Sequence, residues 1–189
     1  QDLWVSAGIR ALDHAIETLC SVGATPYTDA LATQALRVLP NALRASCHGQ
    51  DALSARQSAQ LAVWLASAGL DRTPYGASHG IGHQLGAVAG VPHGVCSCIM
   101  LPTVLDWNSS HTEGEQGKIA RILNAKTASE GVRQLVSELG LPTRLSEAGV
   151  RRDQLEEIAQ KSVGNRWVKT NPRPITSAAD ILEILKLAF

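Results

Sequence analysis

The sequence predicts an all-α protein, on the basis of its composition and of its hydrophobic pattern. Aromatic residues make up only 4% of the 189 residues, while alanine and leucine are abundant, which favours packed helices over a β-sandwich. Apolar residues recur at helical spacing, and no segment shows the convincing alternation of a half-buried strand. We therefore expect one helical bundle over residues 1–189, with about eight to ten helices.

The helices of the N-terminal half are predicted by spacing and by start and stop residues. The first lies within residues 3–22, where Leu3, Val5, Ile9, Leu12, Ile16 and Leu19 follow helical spacing. The second begins near Pro26, and Pro40 should kink or divide it. The third covers about residues 51–69, with Asp51 as N-cap and Gly69 as stop.

The C-terminal half continues the pattern. The segment CSCIMLPTVLDWN is apolar nearly all round, so we expect residues 96–107 to be buried. Three helices follow at about 113–125, 127–140 and 151–161, then an irregular crossing in NRWVKTNPRPITSAAD. A last helix is expected at 178–188, capped near Thr176 or Ser177.

Charge and cysteine content exclude several classes of protein. Lys plus Arg and Asp plus Glu number 17 each, so there is no basic footprint for nucleic acid or for an anionic membrane surface. No apolar run reaches the ~18 residues of a membrane span, and the N-terminus lacks the features of a signal peptide. Four irregularly spaced cysteines do not form a disulfide framework. We expect a soluble, cytoplasmic protein.

Three of the six histidines fall within GASHGIGHQLGAVAGVPHG, at His79, His83 and His93. His79 and His83 are four residues apart and share one helical face, and the chain after His83 is long enough to turn back. Imidazoles are common zinc and iron ligands, although this spacing alone is about equally compatible with ordinary surface or core histidines. Dense glycines there indicate close approach to a neighbouring helix or to a ligand. His14 lies in the first helix, four residues after Arg10.

Cys96 and Cys98 are two residues apart, so on a helix they point about 200° apart and cannot chelate one ion together. We expect both to be small buried hydrophobic residues.

Three segments carry a family resemblance: RALDHAIE, SHGIGHQLGAVAGVPHGVCSCIMLPTVLDWN and TNPRPITSAADILEIL. They resemble the iron-containing alcohol dehydrogenase family and, within it, the maleylacetate reductases, over nearly the whole chain. The resemblance implies the helical C-terminal domain of the dehydroquinate synthase-like fold. In that family an N-terminal α/β domain binds NAD(P)H, and this chain has no strand followed by a glycine-rich turn that could do so.

The resemblance also implies a site. In metal-dependent members an aspartate and three histidines bind a divalent ion, and the three histidines correspond to His14, His79 and His93. A further histidine, near the nicotinamide and suspected in proton relay, corresponds to His83. The aspartate position is Arg10, which reverses the charge at a metal ligand. Iron or zinc is therefore possible but less favoured, because a guanidinium repels a divalent cation by roughly several kcal/mol at ~4 Å.

Three roles for Arg10 remain open. A guanidinium grips a carboxylate bidentately, so anion binding is the leading interpretation. The second is an exposed intrahelical pair with Asp13, and the third is some support of a metal.

We expect an NAD(P)H-dependent oxidoreductase domain, most like maleylacetate reductase, acting on a small unsaturated or oxo carboxylate. Arg10, His14, His79, His83 and His93 are the candidate catalytic residues, and an imidazole donates the proton. Its partners would be an N-terminal nucleotide-binding domain and, because the cleft face is apolar, further copies of the chain. Two alternatives are a non-redox enzyme acting on a carboxylate and a non-catalytic helical subunit for assembly.

Overall fold

The computed structural model describes residues 2–48 and 52–189, and these residues form helices joined by turns, without a β-strand. The all-α prediction is therefore confirmed. The helices are α1 (Asp2–Leu19), α2 (Pro26–His48), α3 (Ala52–Ala66), α4 (Ala77–Ala89), α5 (His93–Asn108), α6 (Glu113–Leu123), α7 (Ala128–Glu138), α8 (Leu155–Ser162), α9 (Arg166–Lys169) and α10 (Ala178–Leu187).

Helix α5 lies at the centre of the bundle and contacts α1, α4, α7 and α10. Its residues from Cys96 to Leu105 are all buried, as a helix that is apolar all round must be. The expected burial of 96–107 is confirmed except at Asp106, which is exposed and pairs with Arg133 at 2.6 Å. Cys96 and Cys98 are buried free thiols, and burial raises the pKa of each to about 12.

Two expectations about helix boundaries are corrected. Pro40 does not divide α2, which runs through it as one helix. A short helix, α9, interrupts the stretch that we expected to be an irregular crossing, because the Asn165 side chain caps it by accepting the Trp167 N–H at 2.9 Å. The cap expected near Ser177 is confirmed, with Asp180 completing a capping box. The predicted N-cap Asp51 lies outside the described residues.

Glycines bring α4 and α5 close to their neighbours. A Cβ at Gly80 on α4 would lie 2.9 Å from the backbone nitrogen of Val168 on α9. A Cβ at Gly94 on α5 would lie 2.6 Å from the Ser6 carbonyl carbon on α1. The glycine density of this stretch therefore serves close helix packing, as the sequence predicted. None of the helices in the described ranges has the length and apolar character to cross a membrane.

Candidate functional site

Helix α1 carries four polar side chains at i, i+3, i+4 and i+7, a spacing that places them on one face. They are Arg10, Asp13, His14 and Glu17. Asp13 and Glu17 are buried, while Arg10 and His14 are partly exposed. The other faces of α1 are apolar and pack on α2 and α5, so the polar face is held against the start of α4.

Glu17 caps the N-terminus of α4. Its Oε2 accepts the Gly76 N–H at 3.0 Å, and its Oε1 accepts the Ser78 N–H at 2.9 Å. These N–H groups have no partner within the helix, and a carboxylate there also meets the positive end of the helix dipole. One side chain of α1 therefore fixes where α4 begins.

His79 lies between two buried carboxylates. Its Nδ1 is 2.8 Å from Glu17 Oε2 and 3.5 Å from Asp13 Oδ2, and Asp13 Oδ2 also accepts the Ser78 hydroxyl at 2.7 Å. Burial by itself lowers the pKa of His79, but the two carboxylates outweigh it and the net shift is upward. Burial raises the pKa of Asp13 to about 6, against the opposing effect of His79.

Aromatic rings connect His79 to the other candidate histidines. The His14 ring stacks on His79 with centroids 4.6 Å apart, and Tyr75 contacts both rings. The Trp167 ring meets His79 edge-on at 5.7 Å and lies 4.8 Å from His83. His83 in turn lies 5.8 Å from His93.

The histidines thus form two pairs, with Trp167 between them. His14 and His79 are together, and His83 lies beside His93, which is exposed at the start of α5. Within the described part of the chain, the one group of three metal-type side chains with ligand atoms within 4.8 Å of one another is Asp13, Glu17 and His79. The set implied by the resemblance, His14 with His79 and His93, is not such a group.

Arg10 acts electrostatically on all four imidazoles. Burial lowers the pKa of His14 to about 3, and the charges of His79 and Arg10 add to the effect. Burial also lowers the pKa values of His83 and His93, and Arg10 is again among the contributing positive charges. The site therefore holds its imidazoles next to a permanent cation.

The prediction of an exposed ion pair between Arg10 and Asp13 is wrong. Asp13 is fully buried, and its carboxylate faces Ser78 and His79. None of the ion pairs formed by residues 2–48 and 52–189 involves Arg10. The guanidinium is therefore available to an anionic ligand.

The donor atoms do not fit the divalent metal of the family. Three neutral imidazoles would have to hold it without the carboxylate ligand, next to the Arg10 cation. The Asp13–Glu17–His79 group is already closed by hydrogen bonds, because both Glu17 oxygens accept N–H groups and His79 Nδ1 faces them. A metal there would have to displace a helix cap.

Two polar atoms at the site nevertheless lack a hydrogen-bond partner among the described residues. His79 Nε2 and His14 Nδ1 are buried without a hydrogen bond to any described residue. Beside them, Tyr75 and Trp167 form part of the wall of a cavity of about 290 Å³. Arg72 and Arg166 line the same cavity. Buried polar groups are normally satisfied by protein or by water, so these nitrogens are the candidate contacts for a ligand or a water at the site.

Several site residues escaped the sequence analysis. The sequence pattern did not identify Glu17, and for Asp13 it indicated a pairing with Arg10. Both carboxylates stand in the apolar-spaced segment LDHAIET, and a buried carboxylate needs partners, which was the available signal. Trp167 lay in a stretch expected to be irregular, and no local pattern linked it to the histidines.

Known proteins that are similar in sequence and known proteins that are similar in fold belong to the same family. The sequence profile of the Fe-containing alcohol dehydrogenase family, C-terminal part, matches residues 4–189. Lactaldehyde reductase of Escherichia coli K12 is 33% identical over 198 residues, which cover 99% of this chain and 51% of that protein. NAD-dependent methanol dehydrogenase of Bacillus methanolicus is 31% identical over 199 residues, 99% of this chain and 52% of that protein.

A crystal structure of maleylacetate reductase from Agrobacterium tumefaciens matches with a TM-score of 0.87 at 26% identity. The match covers 97% of this chain and 51% of that one. The chain thus spans about half the length of these relatives.

Proposed function

Because this chain belongs to the Fe-containing alcohol dehydrogenase family and corresponds to its C-terminal part, we propose that it is the catalytic helical domain of an NAD(P)H-dependent oxidoreductase acting on a small unsaturated or oxo carboxylate. The observation that carries the carboxylate is Arg10, a partly exposed cation beside four imidazoles that makes no ion pair within the described residues. A hydride from NAD(P)H, bound mainly by an N-terminal α/β domain, would supply the reducing equivalent.

Arg10 would bind the substrate carboxylate, and the imidazoles would surround the reacting carbons. A guanidinium offers two parallel N–H donors to a carboxylate, which fixes orientation as well as charge. Hydride addition to a double bond conjugated with a carbonyl leaves an enolate, and hydride addition to a carbonyl leaves an alkoxide. Nearby donors stabilise either oxyanion.

The proton that completes the reduction would come from an imidazole. His83 is partly exposed beside Trp167 and His93, so it can exchange protons with solvent between turnovers. His79 presents its free Nε2 from the buried side. The raised pKa of His79 favours a protonated ring near neutrality, as a general acid requires, whereas the lowered pKa of His83 suits it better to proton exchange with solvent.

The cavity between residues 70–75 and α9 supports a substrate with a second anionic group. Arg72 and Arg166 line it together with one carboxylate, Asp71, and the Trp167 ring in its wall lies 4.8 Å from the His83 ring. Neither arginine pairs with a carboxylate of the described residues. A dicarboxylate could therefore meet Arg10 at one end and this cavity at the other.

The test is an assay of NADH and NADPH oxidation with this chain joined to, or supplied with, its nucleotide-binding domain. Maleylacetate is compared with lactaldehyde as substrate. Both can be reduced by hydride, but lactaldehyde has no carboxylate. We expect turnover of the carboxylate, and we expect Arg10→Met to lower kcat/KM for it by about 10- to 100-fold, the cost of a lost charged hydrogen bond.

The matched control is Arg151→Met, at a side chain that is 67% exposed and remote from the histidines in sequence. It should leave both substrates unaffected. Equal losses for maleylacetate and lactaldehyde in Arg10→Met would refute the carboxylate role. A complete lack of hydride transfer with either cofactor would favour the non-redox or assembly alternatives.

A further inference from the structure

We propose that Glu17 is a positioning residue that keeps a proton on Nδ1 of His79, so that Nε2 is the nitrogen presented to the ligand. The catalytic meaning of this assignment deepens the proposed function and rests on it. The position of the proton is a property of the chain without ligand. It can therefore be tested separately.

The hydrogen bonds of Glu17 lead to this conclusion. Its two oxygens accept the backbone N–H groups of Gly76 and Ser78, which are donors in every protonation state. The same Oε2 lies 2.8 Å from His79 Nδ1. A carboxylate in that position can only accept, so Nδ1 must donate and must carry a hydrogen.

Asp13 excludes the opposite arrangement, in which Glu17 is protonated and donates to Nδ1. In that case a lone pair on Nδ1 would also face Asp13 Oδ2, which is 3.5 Å away and already accepts the Ser78 hydroxyl. Protonation of Glu17 would also remove negative charge from the N-terminus of α4, where the helix dipole favours an anion. The surroundings on both sides therefore keep the hydrogen on Nδ1.

The other ring nitrogen is free in the pocket. Nε2 of His79 is buried and has no hydrogen-bond partner in the described part of the chain. The His14 ring covers one face of the imidazole and the Trp167 ring meets it edge-on, so rotation of the ring is blocked. In the neutral form Nε2 is an acceptor, and in the protonated form it is a donor, but Nδ1–H is present in both.

No comparable clamp holds the neighbouring candidate rings. Among the described residues, His14 Nδ1 has no hydrogen-bond partner, and the one partner of His83 Nδ1 is the Asn165 amide at 3.4 Å. Among the histidine rings whose side chains the structure describes, only that of His79 lies within 4.0 Å of carboxylate oxygens. The hydrogen bond from His79 Nδ1 to Glu17 thus fixes the orientation of one ring, whose Nε2 faces the substrate.

The experiment is heteronuclear NMR of the ligand-free chain with ¹⁵N-labelled histidine, which distinguishes a protonated ring nitrogen from one with a lone pair. The His79 signals are assigned by their loss in His79→Phe. We expect the neutral His79 ring to carry its hydrogen on Nδ1 and its lone pair on Nε2. A lone pair on Nδ1 in the neutral wild-type ring would overturn the proposal.

Glu17→Gln tests the cause. A carboxamide has one oxygen and an NH₂ group, so it cannot accept all three N–H groups, and its NH₂ would face Nδ1. We expect the ratio of Nδ1–H to Nε2–H forms to fall at least about tenfold, or by ~1.4 kcal/mol. Glu156→Gln, at an exposed glutamate on α8, should change nothing.

An unchanged His79 proton position in folded Glu17→Gln would show that Glu17 does not set it. If that variant fails to fold, the wild-type spectrum and Asp13→Asn still decide, because Asp13→Asn leaves Glu17 in place and should keep Nδ1–H. None of these spectra involves hydride transfer. A failed oxidoreductase assay therefore leaves this assignment intact, and the reverse also holds.

Discussion

Charge at the site is arranged in two layers. The partly exposed layer is cationic, with Arg10 beside imidazoles whose pKa values are lowered. The buried layer is anionic, with Asp13 and Glu17 behind His79. His79 connects the two layers, since its Nδ1 faces the carboxylates and its Nε2 is free. A carboxylate ligand would complete the outer layer without disturbing the inner one.

The first prediction concerns His14 and acid stability. In the unfolded chain His14 titrates near its ordinary pKa of 6.5, whereas in the fold burial lowers it to about 3. Between those two pH values the His14 side chain is protonated in the unfolded chain but not in the folded one. The free energy of unfolding is therefore highest above pH 6.5 and falls as the pH is lowered, by up to about 1.4 kcal/mol per pH unit. Asp13 works in the opposite direction, because its pKa is raised to about 6.

The measurement is urea unfolding of wild type and His14→Phe at neutral and mildly acidic pH. Phenylalanine keeps a ring against Tyr75 and His79 but cannot be protonated. Relative to wild type, we expect the variant to gain roughly 1 kcal/mol on acidification by one to two units. A stability difference independent of pH would contradict a lowered His14 pKa.

The sequence alone predicted the histidines of the site but not the carboxylates that contact His79. The family resemblance predicted His14, His79, His83 and His93, and the four-residue spacing of His79 and His83 supported that pair. The position of Glu17 in an apolar-spaced segment indicated its burial, but its partners could not be predicted, because they are backbone N–H groups about sixty residues away in the chain. The Asp13 error had a physical cause as well: helical spacing permits a pair with Arg10, but α4 offers the carboxylate a hydroxyl and an imidazole.

At the scale of helices, α4 is the element that assembles the site. Its first turn is capped by Glu17 from α1, and its Gly80 allows the close approach of α9, which carries Trp167. Apolar spacing and capping residues predicted the long helices and the start of α10. The four-residue α9 could not be predicted, since a single turn has no periodicity to detect and depends on the Asn165 cap.

The second prediction compares two helical glycines. In Gly80→Ala the new methyl group would lie 2.9 Å from the Val168 backbone nitrogen, so α9 must move, at a cost of about 1–3 kcal/mol. Gly117→Ala on α6 meets only the flexible end of Arg121 at 3.6 Å and should stabilise by about 0.5–1 kcal/mol. Urea unfolding of both variants is the measurement. Shifts of the same sign would contradict the tight α4–α9 contact.

At the scale of the whole molecule, the bundle leaves large apolar side chains on its surface. Trp64 is 76% exposed and Tyr27 is 61% exposed, and they line one cavity of about 460 Å³ with Leu31 and Leu65. Exposed apolar clusters of this kind mark interaction surfaces. The chain spans about half the length of the relatives that it matches.

The third prediction is that the isolated 189-residue chain self-associates through this surface. Trp64→Glu should weaken association at least about tenfold, because it places a charge in the apolar contact. Leu187→Glu is the control, at a leucine that is 67% exposed on α10. Sedimentation over a range of concentrations is the measurement. A monomer at every concentration, or equal effects of the two variants, would rule the surface out.

The central claim is that the Arg10 pocket binds a carboxylate rather than a divalent metal, and calorimetric titration of wild type and Arg10→Asp with maleate and with Zn²⁺ tests it most directly. We expect wild type to bind maleate, more weakly as salt is added, and Arg10→Asp to lose that binding. Reversal of charge beside the imidazoles should raise the affinity of the variant for Zn²⁺ by at least about 100-fold. Wild type that retains one equivalent of metal through extensive dialysis, or Arg10→Asp without any gain in metal affinity, would contradict the carboxylate pocket.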